Sequence, residues 1–76
     1  HLLGLPGTKI KNIKNIYSHG QALSQSSKFI KKNNLIENIR ADTAGSAKYI
    51  SENKNKNKAA IASKLSAKIY NLDILA

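Results

Sequence analysis

The chain has no cysteine, methionine or tryptophan, a single proline (Pro6) and only four acidic residues in 76 positions. Without cysteine, neither a disulfide framework nor a thiolate metal site is possible, although this leaves the redox compartment open. The acids Glu37, Asp42, Glu52 and Asp73 form no metal-ligand spacing with each other or with His1 and His19, so no metal is expected. No glycine-rich loop of the dinucleotide or P-loop type occurs, and no cofactor is expected. No apolar run approaches the roughly 18 residues that a membrane span needs, so no membrane partner is expected. The opening His1-Leu2-Leu3-Gly4-Leu5-Pro6-Gly7 has neither a basic n-region nor a long apolar stretch, and does not read as a signal peptide. It also lacks an initiator methionine, and the chain reads as a piece of something longer.

What is abundant is positive charge and moderate hydrophobicity. Hydrophobic residues make up 41%, normal for a soluble globular chain, but a chain this short buries only a modest core. The formal charge is +9, and all the basic residues but Arg40 are lysines. Such a charge raises the possibility of nucleic-acid binding through phosphate neutralisation. Three observations speak against it. Arginine, the preferred residue for bidentate phosphate and base contacts, is nearly absent. The basic residues do not form one helical stripe. Only Phe29 and three tyrosines are available to stack on bases. The abundance of Lys, Asn and Ile looks like the coding bias of an AT-rich genome, and the lysines read as a solvated surface. Their field still favours a small anion.

The apolar pattern changes period along the chain. Ile13 and Ile16-Tyr17 form a short β-prone run ending near Tyr17. From Gln21 to Asn33 the pattern is helical, with Ala22, Leu23, Ser26, Phe29 and Ile30 on one side. Asn33-Asn34 ends this helix. Leu35-Ile36 and Ile39 make a second strand, and residues 42 to about 53 a second helix with Ala44, Ala47 and Ile50 on one face. The Lys/Asn run Ser51 to Lys58 is an exposed loop. Ala59-Ala60-Ile61-Ala62 suits a strand buried on both faces. Ser63 to Tyr70 is a third helix carrying Leu65 and Ile69, Asn71 suits a left-handed cap, and Leu72, Ile74 and Leu75 close as a strand. His1 to Leu5 add another strand before a Pro6-Gly7 turn.

Strands alternating with helices of this length imply right-handed βαβ crossovers and a single α/β lobe: three α/β/α layers around a mostly parallel sheet. In such a sheet the three strand-to-helix junctions share the edge at the carboxyl ends of the strands, where open α/β sheets bind ligands. Each junction carries a capping residue. Ser18 stands three positions before Gln21, a capping-box spacing. Asp42 precedes Thr43, and Ser63 precedes the last helix. Helix N-termini present unpaired N–H groups and partial positive charge, which suits a carboxylate or phosphate. Capping also occurs in every α/β protein, and Asp42 would repel an anion unless it faces away. His19, in the first helical turn, should be neutral there and able to donate a hydrogen bond. Gln25, seven residues after Ser18, returns to nearly the same side two turns up.

Several blocks, in order, resemble the bacterial prephenate dehydratases. Leu2-Leu3-Gly4-Leu5-Pro6-Gly7 and Ile13-Lys14-Asn15-Ile16-Tyr17-Ser18-His19 look like the stretch opening the second lobe of that family's catalytic domain. Ser18-His19-Gly20-Gln21-Ala22-Leu23-Ser24-Gln25 resembles its Ser-His-Pro-Gln-Ala-Leu-x-Gln block. Asp42-Thr43-Ala44 resembles its Ser-Thr-Ala block, in a version, Ala41 to Ala47, seen in alphaproteobacterial members. Ala59-Ala60-Ile61-Ala62-Ser63 is similar to its alanine-rich strand, and Tyr70-Asn71-Leu72-Asp73-Ile74-Leu75 to its Tyr-Gly-Leu-x-Ile-Leu ending. Two departures stand out: Gly20 for the usual proline, and Asp42 for serine.

The resemblance implies one half of a bilobal fold of the periplasmic-binding type II kind, residues 1–76 forming the second lobe, with the first lobe and a regulatory ACT domain elsewhere. It implies a cytoplasmic enzyme of phenylalanine biosynthesis that converts prephenate to phenylpyruvate with loss of water and carbon dioxide. It implies a homo-oligomeric parent with L-phenylalanine as effector. Ser18, His19 and Gln25 carry over as cleft residues that bind or orient the substrate, and Thr43, Ala44 and Ser63 as helix N-terminal contacts. The family's Thr-Arg-Phe motif, whose threonine is thought to act in catalysis, would lie beyond Ala76, so the isolated lobe is expected to be inactive. The rival reading is a non-enzymatic lobe that binds a small anion, since transport and regulatory proteins of the periplasmic-binding type share the architecture.

Overall fold

The computed structural model describes residues 1–40 and 43–76, Thr43 and Ala44 in their backbone alone. Strand β1 (Leu2–Gly4) is followed by a single 3-10 turn (Ile10–Asn12) and strand β2 (Asn15–Ser18). Helices α1 (Gly20–Gln25) and α2 (Ser27–Lys32) lead to β3 (Ile36–Ile39). Helix α3 (Thr43–Asn53), β4 (Lys58–Ile61), α4 (Lys64–Ile69) and β5 (Asp73–Ile74) complete the chain.

The strands form one sheet in the order β3-β2-β4-β1-β5. β2 pairs in parallel with β3 and with β4, whereas β1 runs antiparallel to both β4 and β5. Four strands therefore share one direction, and β1 alone is reversed. The sheet is thus mixed: β3-β2-β4 pair in parallel, as the βαβ pattern predicted, while the inverted β1 between β4 and β5 makes the other two pairings antiparallel.

Side chains alternate across the sheet and build a core on each face. On one face Leu3, Tyr17 and Ala60 pack with Ala47 and Ile50 of α3 and Ala67 of α4. On the other, Leu2, Ile16 and Ala59 pack with Leu23 of α1 and Ile30 of α2. These are the three α/β/α layers. Central β4 is buried on both sides, as its alanines suggested: Ala59 and Ala60 are both fully buried. Small side chains there let both helical layers approach the sheet closely.

One element departs from the sequence reading. The helix expected from Gln21 to Asn33 is two helices, broken at Ser26 (φ −104°, ψ 16°). The break falls in Ser24-Gln25-Ser26-Ser27, where serines compete with the helix for backbone hydrogen bonds. α3 begins at Thr43, and the reading of Asp42 as a capping residue lies outside the described residues. Leu65 and Ile69 of α4 face solvent, 64% and 62% exposed, while Ser66 and Ala67 are buried. Both asparagines expected to end helices do so: Asn34 and Asn71 adopt left-handed φ values of 53° and 55°. Gly7, at φ 85°, makes the turn after Pro6.

Candidate functional site at the carboxyl edge of the sheet

The parallel pairings bring the carboxyl ends of β2, β3 and β4 together. Ser18 is in register with Ile39, and Tyr17 with Ala60. The Arg40 N–H donates to the Ser18 carbonyl at 2.9 Å, extending the β2–β3 ladder to the edge. The carboxyl ends of β2, β3 and β4, with the starts of α1 and α4 that follow two of them, therefore lie on one edge.

The chemistry at the first junction differs from the sequence reading. Ser18 does not cap α1. It is the last residue of β2, is 0% exposed, and its hydroxyl donates to the Ile61 carbonyl at 2.9 Å. The cap is His19, which has extended backbone angles (φ −76°, ψ 161°). Its Nδ1 accepts from the Ala22 N–H at 3.3 Å. His19 thus stands just outside the helix rather than in its first turn. The cause is register: strand pairing with β3 continues through Ser18, so the first residue free to cap is the next one.

At the third junction the expectation holds. Ser63 (φ −75°, ψ 159°) caps α4, its Oγ accepting from the Ser66 N–H at 3.1 Å and lying 3.1 Å from the Ser66 hydroxyl. At the second junction, Thr43 and Ala44 begin α3, and their side chains lie outside the described residues. Gln25 is exposed at the carboxyl end of α1, about 7 Å of helix rise from Gly20, next to the break at Ser26. Ser26 in turn lines a mainly apolar cavity of about 210 Å³ with His1, Leu2, Phe29, Ile61 and Ala76.

Both ends of the chain lie at this same edge. The Leu2 N–H donates to the Ala76 carbonyl at 2.9 Å, the Leu75 N–H to the Leu2 carbonyl at 2.7 Å, and the Ala62 N–H to the His1 carbonyl at 3.0 Å. β1 starts and β5 ends beside the carboxyl end of β4 because β1 is antiparallel to both. No sequence signal pointed to this meeting of the ends, which is a product of strand order.

A second polar cluster lies on the α3 face of the sheet. Lys58, at the opposite end of β4 from the edge, donates from Nζ to the Tyr49 hydroxyl at 3.0 Å. The Tyr17 and Tyr49 rings are 5.0 Å apart, and the Arg40 guanidinium lies 4.6 Å above the Tyr49 ring. The hydrogen bond from Lys58 holds the Tyr49 phenol below the ordinary tyrosine range and keeps Lys58 above its own. Burial pushes Tyr17 up. The sequence reading did not link these residues: β2–β4 pairing sets Lys58 near Tyr17, and the packing of α3 on the sheet brings Tyr49 to both.

Among the described residues no group of three or more His, Asp or Glu stands close enough to hold a metal, and no helix is long and apolar enough to cross a membrane. The edge offers capped helix starts, an imidazole, hydroxyls and an adjoining apolar cavity, which together suit a small anion with an apolar body.

Comparison with known proteins agrees with this arrangement. The family model described as prephenate dehydratase matches residues 1–76. Arogenate dehydratase/prephenate dehydratase 1, a chloroplastic protein of Arabidopsis thaliana, is 48% identical over 77 residues, covering 99% of this chain and 19% of the relative. Among solved structures, GqqA, a quorum-quenching acylase, superposes with a TM-score of 0.97 at 35% identity, covering 99% of this chain and 28% of its own. The prephenate dehydratase of Arthrobacter aurescens in complex with L-Phe gives 0.86 at 31% identity, covering 99% and 26%. The chain spans about a fifth of the length of the curated relatives it matches first. With its whole length matched by the family model and its fold shared with a solved member, the chain belongs to the prephenate dehydratase family.

Proposed function

We propose that this chain is the second lobe of a prephenate dehydratase catalytic domain and forms one wall of its substrate cleft. The observation that carries the reading is the gathering of the carboxyl ends of β2, β3 and β4 on one edge, where His19 and Ser63 cap α1 and α4. In the bilobal fold of the family the cleft falls between this lobe and its companion, over Ser18, His19, Ser63 and the start of α3.

Prephenate suits such a wall. It is a dianion, and the edge collects helix N-termini on a chain of formal charge +9. In the reaction the ring C–O bond breaks and the hydroxyl leaves, taking a proton, as water. The bond to the ring carboxylate breaks as carbon dioxide departs, and its electron pair completes the aromatic ring of phenylpyruvate. Hydroxide is a poor leaving group, so the site needs a positioned acid or donor. In this reading the acid is the threonine of the family's Thr-Arg-Phe motif, and the present lobe contributes binding and orientation through Ser18, His19, Gln25, Thr43, Ala44 and Ser63. Of these, Ser18 acts through its backbone and its hold on Ile61, since its hydroxyl is buried and engaged.

A cytoplasmic location and a homo-oligomeric parent with an ACT domain responsive to L-phenylalanine go with the same reading. The L-Phe complex of the Arthrobacter aurescens protein supports the effector. The test is an assay of the complete polypeptide containing this chain for phenylpyruvate formation from prephenate, with arogenate assayed in parallel. Turnover of either is expected, and feedback inhibition by L-phenylalanine with it. Binding of a small anion with no turnover of either compound would favour the non-enzymatic lobe instead.

A further inference from the structure

We infer that the neutral His19 imidazole carries its proton on Nε2, and that it serves the cleft as a hydrogen-bond donor rather than as a base. The cleft role rests on the function proposed above. The tautomer does not.

A backbone N–H can only donate. The ring nitrogen facing the Ala22 N–H, Nδ1 at 3.3 Å, must therefore carry a lone pair. A neutral imidazole has one N–H, and it is then on Nε2. Nδ1 is attached to Cγ, as Oδ1 is in asparagine, a preferred N-cap residue, so the imidazole reaches the same backbone N–H. Protonating Nδ1 would remove the acceptor and set a cation against the positive end of the helix.

The other nitrogen is available to a ligand. The ring is half-buried, and among the described residues no hydrogen bond to Nε2 is formed. The neighbouring residue has no such freedom. The Ser18 hydroxyl hydrogen points inward to the Ile61 carbonyl, leaving that hydroxyl no hydrogen to offer outward. Of this Ser-His pair, only His19 has a polar hydrogen to present at the edge. Its partner is an acceptor oxygen, such as a substrate carboxylate. Nε2 cannot act as a base while Nδ1 holds the cap, because it has no lone pair free.

The test uses the complete polypeptide labelled with ¹⁵N-histidine. Long-range ¹H–¹⁵N correlation at neutral pH, assigned by loss of the signal in His19→Asn, is expected to show Nδ1 unprotonated and Nε2 protonated. A predominant Nδ1–H form overturns the inference. His19→Asn keeps a cap acceptor and removes Nε2–H, so the KM for prephenate is expected to rise about tenfold or more, with a smaller change in kcat and an unchanged melting temperature. Unchanged KM with the expected tautomer overturns the donor role. If the wild-type protein turns over no substrate, the functional proposal fails, and the nitrogen correlation still decides the tautomer.

Discussion

The Ser18 hydroxyl lies 2.9 Å from the Ile61 carbonyl and donates to it, joining the carboxyl ends of two parallel strands one step beyond their last backbone pair, Tyr17 with Ala60. Ser18 is fully buried and the bond part-buried, so removing the hydroxyl takes one donor from the Ile61 carbonyl. Ser18→Ala should destabilise the fold by about 0.5–1.5 kcal/mol. Urea unfolding measures this, and a midpoint equal to wild type would show that the bond contributes nothing. A fall in turnover in this variant mixes stability with function, so it is not the cleanest probe of the cleft.

Gln25 is that probe. It is exposed at the end of α1, and no side-chain hydrogen bond ties it down among the described residues. Gln25→Ala should change stability by less than about 0.5 kcal/mol, the usual range for an exposed site. Its kcat/KM for prephenate should fall about tenfold if the side chain reaches the substrate, in line with loss of one hydrogen bond to a charged group. Wild-type kinetics in Gln25→Ala would remove it from the site.

The Tyr17–Tyr49–Lys58 cluster predicts an order of alkaline titration. Tyr49 ionises below the ordinary value of 10.0 because Lys58 donates to it, and Tyr17 ionises above that value because it is buried. The signs differ. The Tyr49 contribution to stability is present above 10.0 and is lost as pH falls through its lowered folded value. The Tyr17 contribution is present below 10.0 and is lost as pH rises through its raised one. The Lys58 contribution, from a value raised above 10.5, is likewise lost only as pH rises through the folded value. In a Tyr70→Phe background tyrosinate absorbance should rise first for Tyr49 and then for Tyr17, and Lys58→Met should move the first step upward. A first step that Lys58→Met leaves in place would rule out the Lys58 hydrogen bond as its cause.

Packing around β4 yields a contrast between a buried and an exposed site. Ala60 is fully buried in the core between β4 and α3, so Ala60→Leu should overpack it and cost about 1–3 kcal/mol. Leu65 on α4 is 64% exposed, and Leu65→Ser should cost less than about 0.5 kcal/mol. Equal losses in the two variants, read by thermal melting, would contradict this assignment of inside and outside.

Much of the local structure was legible in the residues, because caps, turns and periodicity act over a few positions. Asn34 and Asn71 tolerate left-handed angles, so the helices end there. The Ala59-Ala60 pair admits close approach from both sides, so β4 is central. The ordered blocks around Ser18-His19 and Ala59 to Ser63 pointed to the family that comparison then showed. The cap at the first junction was misread by one residue, because strand pairing with β3, a contact more than 20 residues away in sequence, carries β2 through Ser18 and leaves His19 to cap. In α4 it is Ser66 and Ala67 that face inward, while Leu65 and Ile69 are exposed, a choice of face that the residues of so short a helix did not settle.

The residues alone determined the α/β alternation, the helix ends at Asn34 and Asn71, the cap at Ser63, the cap at His19 to within a residue, and the positive charge that suits an anion. The tertiary structure decided what no local rule encodes. Inverting β1 between β4 and β5 brings His1 and Ala76 to the ligand edge. Pairing β2 with β4 turns the Ser18 hydroxyl inward and leaves the outward hydrogen to His19. The physical reason is that strand order and register are set by non-local hydrogen bonding and by burial on both faces of the sheet, so the direction of one hydroxyl hydrogen depends on a strand more than 40 residues away.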